Sequence, residues 1–266
     1  MMKKRMPIIS AALLALLLTA CGGMSGAQKD AYNQAYLASD AMSNFTIETS
    51  LNVVLHEAQD TSVIIKQQCS VNNAFADNMQ YKISTDSRII APAEEDVASA
   101  SSNVVTAVLN TYYYQDEMYY LDLAEGKYAM AATRESAIND VHTARRLFDV
   151  DPEDFKSVKC TEHENGALTV EFTADYSEVE EYMGTVFETM GESLDIEKDI
   201  QNGDIAGTVI IDAQGFIRRQ TIVLQSSGVS DKGAFSVDTE MDIVLTNHGE
   251  NVSFVMPEIS EFSRIS

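Results

Sequence analysis

The 266-residue chain has no tryptophan, four histidines and three cysteines, and it sets 18 lysines and arginines against 41 aspartates and glutamates. Each shortage excludes a class of function. A formal charge of −23 repels phosphate backbones and anionic headgroups, which disfavours nucleic-acid binding and electrostatic docking on a bilayer. The absence of tryptophan removes the strongest stacking partner for a sugar ring. His56, His142, His163 and His248 are scattered, outside any zinc-protease spacing, and neither a Gly-x-Ser-x-Gly elbow nor a glycine-rich phosphate loop is present. These histidines read as exposed surface residues, and the chain reads as non-enzymatic, with no cofactor or metal. The acidic stretch 195–204 fails as a calcium loop. Counted from Asp195, Ile200 occupies the glycine position and Ala206 the bidentate glutamate position, so it reads as a solvated charge run.

Long apolar runs are also lacking. The longest, Met6 through Leu18, is interrupted by Pro7 and Ser10 and falls short of the roughly 20 residues a spanning helix needs. Lys3, Lys4 and Arg5 precede it, and Leu18-Thr19-Ala20-Cys21-Gly22-Gly23 follows. Charge, short apolar stretch, small residues and cysteine in that order form a secretory leader that resembles a lipoprotein precursor. The expectation is cleavage between Ala20 and Cys21, with a diacylglycerol on Cys21 and the protein held on the extracytoplasmic face of the cell membrane. Loss of the leader removes three basic residues and no acid, so attachment must come from the lipid, whose two or three chains hold firmly. On this reading residues 1–20 are a signal peptide, 21–30 a lipidated flexible tether, and 31–260 a single domain.

That domain carries a strong β signal. Phe45, Ile47, Leu51, Val53 and Leu55 alternate with polar residues, as do Val63, Ile65, Cys69 and Val71, then Met79, Tyr81 and Ile83. The pattern returns in Leu168, Val170 and Phe172 and in Phe235, Val237, Met241, Ile243 and Leu245. This is the period-two signature of strands wet on one face, and several exceed ten residues. Turns fall at Gln115-Asp116-Glu117, Glu164-Asn165-Gly166, Asp212-Ala213-Gln214-Gly215 and Gly228–Gly233. Residues 91–103 read as an exposed loop. Helical spacing predicts helices over 30–43, 134–148 and 177–190. In the last, Ser177 and Glu180 are spaced as a capping box, and Val186 and Phe187 lie on the apolar side. The fold class expected is α+β, one large curved antiparallel sheet wrapped around a few helices.

Six tyrosines, Tyr112, Tyr113, Tyr114, Tyr119, Tyr120 and Tyr128, gather around one hairpin. Aromatic residues are enriched in strands for packing alone, so cross-strand pairs are favoured here over sugar stacking. Cys69 and Cys160 both lie on expected strands of an exported protein. A disulfide is one reading and two small buried residues the other.

A lipobox, an early helix and long antiparallel strands interrupted by two helical segments resemble the LolA/LppX-like lipoproteins. The likeness is carried by Asn44-Phe45-Thr46-Ile47-Glu48, by the hairpin Tyr112–Tyr120, and by Gly207–Ile217 with its Asp212-x-x-Gly215 turn. It spans roughly residues 28–258 and is architectural. It implies a half-open barrel whose concave side, partly plugged by helices, holds acyl chains, and hence a monomeric, non-enzymatic binder or carrier of a lipid or another hydrophobic molecule. The residues expected to line that interior are Leu51, Val53, Leu168, Val170, Met241 and Ile243 from strands and Val186 and Phe187 from the helix. A second reading gives the same residues an ordinary packed core and makes the protein a cell-envelope interaction or sensing module. Inward apolar residues look alike in sequence whether they pack together or line a pocket.

Overall fold

Strands form wherever the sequence alternates. The computed structural model describes residues 23–57, 60–91, 103–122, 126–180, 201–230 and 233–265. Four strands of twelve residues each open the sheet: β1 (Phe45–His56), β2 (Thr61–Asn72), β3 (Gln80–Ala91) and β4 (Asn103–Tyr114). Shorter strands follow, β5 (Glu117–Asp122), β6 (Gly126–Ala131), β7 (Ser157–Glu162) and β8 (Leu168–Ala174). Then come three long ones, β9 (Gln201–Ile211), β10 (Ile217–Ser230) and β11 (Gly233–Thr246), and a two-residue β12 (Ser263–Arg264). The strand order is β12-β6-β5-β4-β3-β2-β1-β11-β10-β9-β8-β7, antiparallel throughout except where β12 runs beside β6. With its helices the molecule is α+β, built on one twelve-stranded sheet.

The pairing of β1 with β11 brings the first and last long strands together, with Leu51 opposite Met241 and Thr49 opposite Ile243. Turn chemistry agrees with the sequence. Gln115 and Asp116 both take positive φ between β4 and β5, as a two-residue primed hairpin requires. Asp212 accepts the backbone N–H groups of Gln214 and Phe216 and pairs with Arg218 at 2.6 Å, which fixes the β9–β10 turn.

Helix α1 (Gly26–Asp40) starts earlier than apolar spacing predicts. The Ser25 hydroxyl accepts from Gln28 N–H (3.2 Å), and the Gln28 side chain accepts from Ser25 N–H (2.9 Å). This capping box satisfies two orphan donors, so residues 26–30, expected as flexible tether, are helix, and Met24 before them is buried. Helix α2 (Arg134–Arg145) is capped by Thr133 and ends three residues short of the expected boundary. For the expected helix 177–190, the described part is a 3-10 turn, Tyr176–Val179, followed by Glu180 in helical conformation. The Glu180 N–H bonds the Ser177 carbonyl oxygen there and not the Ser177 hydroxyl that a capping box would use. Residues 181–200, with Val186 and Phe187, lie outside the described residues, as do Cys21, the leader and residues 92–102 of the expected loop.

Both helices sit on one face of the sheet and at one end of its strands. Tyr36 of α1 accepts from the fully buried Gln220 of β10 and donates to Phe148 O (2.7 Å) beyond α2. Ser39 of α1 accepts from Ile217 N–H (3.0 Å). Arg145, at the last turn of α2, donates to Asp40 (2.8 Å) and Met42 O (3.2 Å), and its guanidinium lies 5.5 Å from the Phe45 ring. Tyr81 of β3 donates to Asp140 of α2 (2.7 Å).

One close approach depends on glycine. The Phe172 ring stacks on Phe155 (4.3 Å) and lies directly over Gly207, where an added Cβ would come within 2.3–2.8 Å of three ring atoms. The ring has the Phe155 stack behind it and little room to retreat. We expect Gly207→Ala to cost about 1–3 kcal/mol by overpacking. In a domain of this size that lowers the melting temperature by roughly 2–12 °C. Gly26→Ala meets nothing within 4 Å at the start of α1 and should leave the melting temperature unchanged or slightly raised. Thermal unfolding followed by circular dichroism separates the two variants.

Candidate functional site

The six strand residues expected to line an interior do share the helix-bearing face. Leu51, Val53, Leu168, Val170, Met241 and Ile243 are all buried and belong to one core with Tyr32, Phe45, Ile222 and Phe235. Register explains why. On this face Met241, Leu51 and Ile65 sit side by side across β11, β1 and β2, while Leu168 pairs with Ile211 and Val170 with Val209 across β8 and β9. The helices complete the core from above, with Tyr32 edge-on to Phe155 at 5.8 Å.

Burial is not uniform along the face. At the helix end, Phe45, Val71, Tyr81, Tyr113 and Met118 form a continuous buried row across β1 to β5. In the middle, Thr49, Gln67 and Thr85 make a polar band, with Gln67 donating to Thr85 at 3.3 Å. At the far end the apolar row returns as Val53, Val63, Ile89 and Val105. Its exposure climbs from 1% at Val53 to 63% at Val105, with Ile89 half-buried between them. Leu109 and Ile65 on the same face are also half-buried. The apolar face therefore emerges into solvent at the β3–β4 corner, away from both helices. Residues chosen on alternation alone lie deeper than this margin; the emergence of Ile89 and Val105 is set by strand order, which alternation does not report.

The tyrosine cluster divides between the two faces. Tyr113 and Tyr120 join the main core: Tyr113 stacks on Tyr81 (5.6 Å), and Tyr120 stacks on Tyr128 (4.9 Å). Tyr112 and Tyr119 point the other way and form a small separate core with Ala129 and Phe262, flanked by Tyr114 and Met256. Burial pushes the Tyr113 and Tyr119 hydroxyls up to about 12, reinforced by hydrogen bonds to Asp116 and Glu117. The C-terminal segment covers this second core, with Ile265 N–H bonding Ala129 O at 2.9 Å.

The disulfide reading is corrected. Cys69 on β2 and Cys160 on β7 are both free thiols, and five strands separate them in the sheet order. Cys69 is fully buried, and desolvation pushes its thiol up to about 12. The exposed reading of the histidines holds for His142 and His163 but not for His56 and His248, which are half-buried. His248 is half-buried against Phe216 (5.0 Å), and neither ring nitrogen has a partner. Burial, then the nearby Arg218, lowers its pKa. Among the described residues no group of three or more His, Cys, Asp or Glu side chains is placed to hold a metal ion, and no helix is long and apolar enough to cross a membrane.

Clefts mark the surface formed by the described residues. One of about 440 Å³ crosses β11, β1, β2 and β3 on the face opposite the helices, beside Glu48, Lys66, Asp86 and Asp242. Another of about 400 Å³ lies over β7 to β10 near Lys159, Glu171 and Thr208. A further one, about 460 Å³, is between the C-terminal halves of α1 and α2.

No protein-family model and no curated protein matches the chain. Among solved structures, a DUF1329 family protein from Desulfovibrio piger is similar over 85% of this chain and 94% of its own, at 10% identity and a TM-score of 0.20.

His56 supplies a pH-dependent contact at the far end of the sheet. Its two ring nitrogens lie 3.1 Å from Asp60 and 3.1 Å from Asp238. The hydrogen bond to Asp60, then that to Asp238, raises its pKa above the ordinary value of 6.5. The folded state thus binds the proton more tightly than the unfolded chain. The resulting stabilisation is fully present below the unfolded value and is lost as pH rises through the folded one. His56→Gln should therefore lower the melting temperature at about pH 5 and leave it unchanged at about pH 9. An equal difference at both values would show that the charge plays no part.

Proposed function

We propose that this chain is a lipid-anchored extracytoplasmic protein that binds a hydrophobic molecule, without catalysis, on the helix-bearing face of its sheet. The sheet is read as the half-open barrel of LolA/LppX-like lipoproteins, with α1 and α2 as its plug at one end. The observation that carries this reading is the row Val53–Val63–Ile89–Val105, which passes from full burial to 63% exposure on the helix-bearing face. An acyl chain entering at Ile89 and Val105 would remove apolar surface from water on both partners, worth about 0.8 kcal/mol per buried methylene. The leader and Cys21 supply the anchor, in an acidic chain with no electrostatic attraction to a bilayer of its own.

A second reading, an interaction module with a packed core, draws support from the depth of the six strand residues, none more than 7% exposed. The two are separated by titrating the full chain with dansyl-labelled undecanoic acid. We expect saturable fluorescence enhancement, weakened at least about tenfold by Val105→Asp and by Ile89→Asp, a loss of about 1.4 kcal/mol or more. Both positions are at least partly exposed, so their melting temperatures should stay close to that of the parent. No enhancement with the parent chain, or equal enhancement in all three, would favour the packed-core module. The anchor is tested apart from the ligand: Cys21→Ser should abolish both metabolic acyl labelling and leader cleavage. Absence of label in the parent would overturn that half of the reading alone.

A further inference from the structure

Met24 leaves a lipid anchor at Cys21 very little slack. It belongs to the main core, the capping box is complete at Ser25, and α1 starts at Gly26. Only Gly22 and Gly23 stand between Met24 and Cys21 in the chain. At no more than about 3.6 Å per residue, a lipid-bearing Cys21 can be at most roughly 11 Å from that core residue. The acyl chains of such a cysteine are buried in the bilayer, so the surface around Met24 is drawn to the headgroups.

Register identifies that surface. The Gln28 side chain donates to Glu162 at 3.0 Å and Lys29 pairs with Glu153, so α1 starts beside the C-terminal end of the edge strand β7. Glu162, Leu168, Ile211 and Ile217 form one row across β7, β8, β9 and β10. Ser39, near the other end of α1, accepts from the Ile217 N–H. The row spans about 14 Å at the usual strand spacing, and α1 rises about 16 Å from Gln28 to Ser39. The helix therefore crosses the strands along this row. Its start shares one end of the molecule with the 163–166 and 212–215 turns, where Gly166 packs beside Ala213.

The open margin of the apolar face lies elsewhere. From Ile217 to Val229, β10 rises about 40 Å. The row that ends at Val105 passes through Val53 and Thr239 to Leu224, roughly 23 Å along β10 from Ile217. Val105 is also eight places from β7 in the strand order. A short tether still lets the domain stand on its anchored end or lie on its side, and charge decides between them. The chain has a formal charge of −23 before the leader's three basic residues are lost. Anionic lipid repels such a surface within a Debye length of about 8 Å, and lying down brings more acidic surface to the headgroups than standing does.

Given the anchor and the open face proposed above, we infer that the bilayer lies against the end of the domain formed by the start of α1 and the 163–166 and 212–215 turns. The strands point away from the membrane, and the margin at Ile89 and Val105 opens to the aqueous side. A hydrophobic guest then enters and leaves from that side, not directly from the bilayer that holds the protein.

The lack of tryptophan makes single Trp substitutions clean reporters of position. Ala27→Trp and Glu164→Trp mark the anchored end, Val229→Trp and Val105→Trp the far ends of the strands, and all four positions are exposed. Each acylated full-length variant is reconstituted in vesicles of phosphatidylcholine and phosphatidylglycerol, with and without phosphatidylcholine spin-labelled on its headgroup, which quenches tryptophan only at short range. We expect the spin label to cause a loss of emission in Ala27→Trp and Glu164→Trp and none in Val229→Trp and Val105→Trp. No loss at any position, equal loss at all four, or a greater loss in Val105→Trp than in Ala27→Trp would overturn the inference and leave the anchor in place. A chain whose intact mass shows no acyl group and which does not bind the vesicles would overturn both together.

Discussion

Arg145 holds the helices where they are. Its guanidinium is taken almost wholly out of water, a step that costs several kcal/mol unless its donors find acceptors. Asp40 and Met42 O provide two, and the faces of Phe45 and Phe75 lie 5.5 and 5.6 Å away. These partners come from the end of α1, the link after it, the first residue of β1 and the link between β2 and β3. Desolvation lowers the pKa of Arg145, and the Asp40 carboxylate opposes that shift. A second buried knot lies about one turn earlier on α1. There Tyr36 accepts from Gln220 and donates to Phe148 O, and burial drives its own pKa well above the ordinary value. An unmet donor or acceptor at that depth costs about 1–3 kcal/mol, so these networks hold the helices over one end of the strands.

That placement organises everything else. The strands of β1 to β4 run twelve residues, and the contacts to α1 and α2 fall at their Phe45, Val71, Tyr81 and Tyr113 ends. The far ends keep an apolar row whose cover thins toward β4. The opposite face spends its polar residues on cross-strand pairs. Arg219 bonds Asp242 at 2.6 Å, Lys159 bonds Glu171 at 2.7 Å, and Gln68 bonds Glu48 at 2.8 Å. Exposed pairs of this kind contribute about 0–1 kcal/mol each. They relieve self-repulsion in a chain of net charge −23 more than they hold the sheet, which rests on its main apolar core.

Much of this is legible in the sequence where side-chain period alone decides. The alternation in 45–55, 63–71 and 235–245 yields strands with the stated residues on the core side, because a period of two admits only two faces. What eludes it is non-local. Ser25 and Gln28 carry a readable capping signature, yet the glycines around them read as tether, and the helix reaches back to Gly26. Gln201–Asp204, at the end of an acidic stretch that reads as solvated, opens β9, because pairing with β10 overrides local polarity. The separation of Cys69 from Cys160 follows from β1 and β8 to β11 lying between their strands, which no spacing reveals. The second core around Tyr112, Tyr119 and Phe262 has the same origin, since it depends on the C-terminal segment returning to β6.

The account's central claim is that the helix-bearing face stays open to a hydrophobic guest. Native mass spectrometry of the full chain, purified without added lipid and followed by organic extraction, addresses it most directly. The account predicts a population heavier than the acylated polypeptide by a discrete mass, removed by extraction and recovered as a lipid or other apolar molecule. A single species at the mass of the acylated chain, with nothing apolar in the extract and no gain on adding fatty acid, would contradict it.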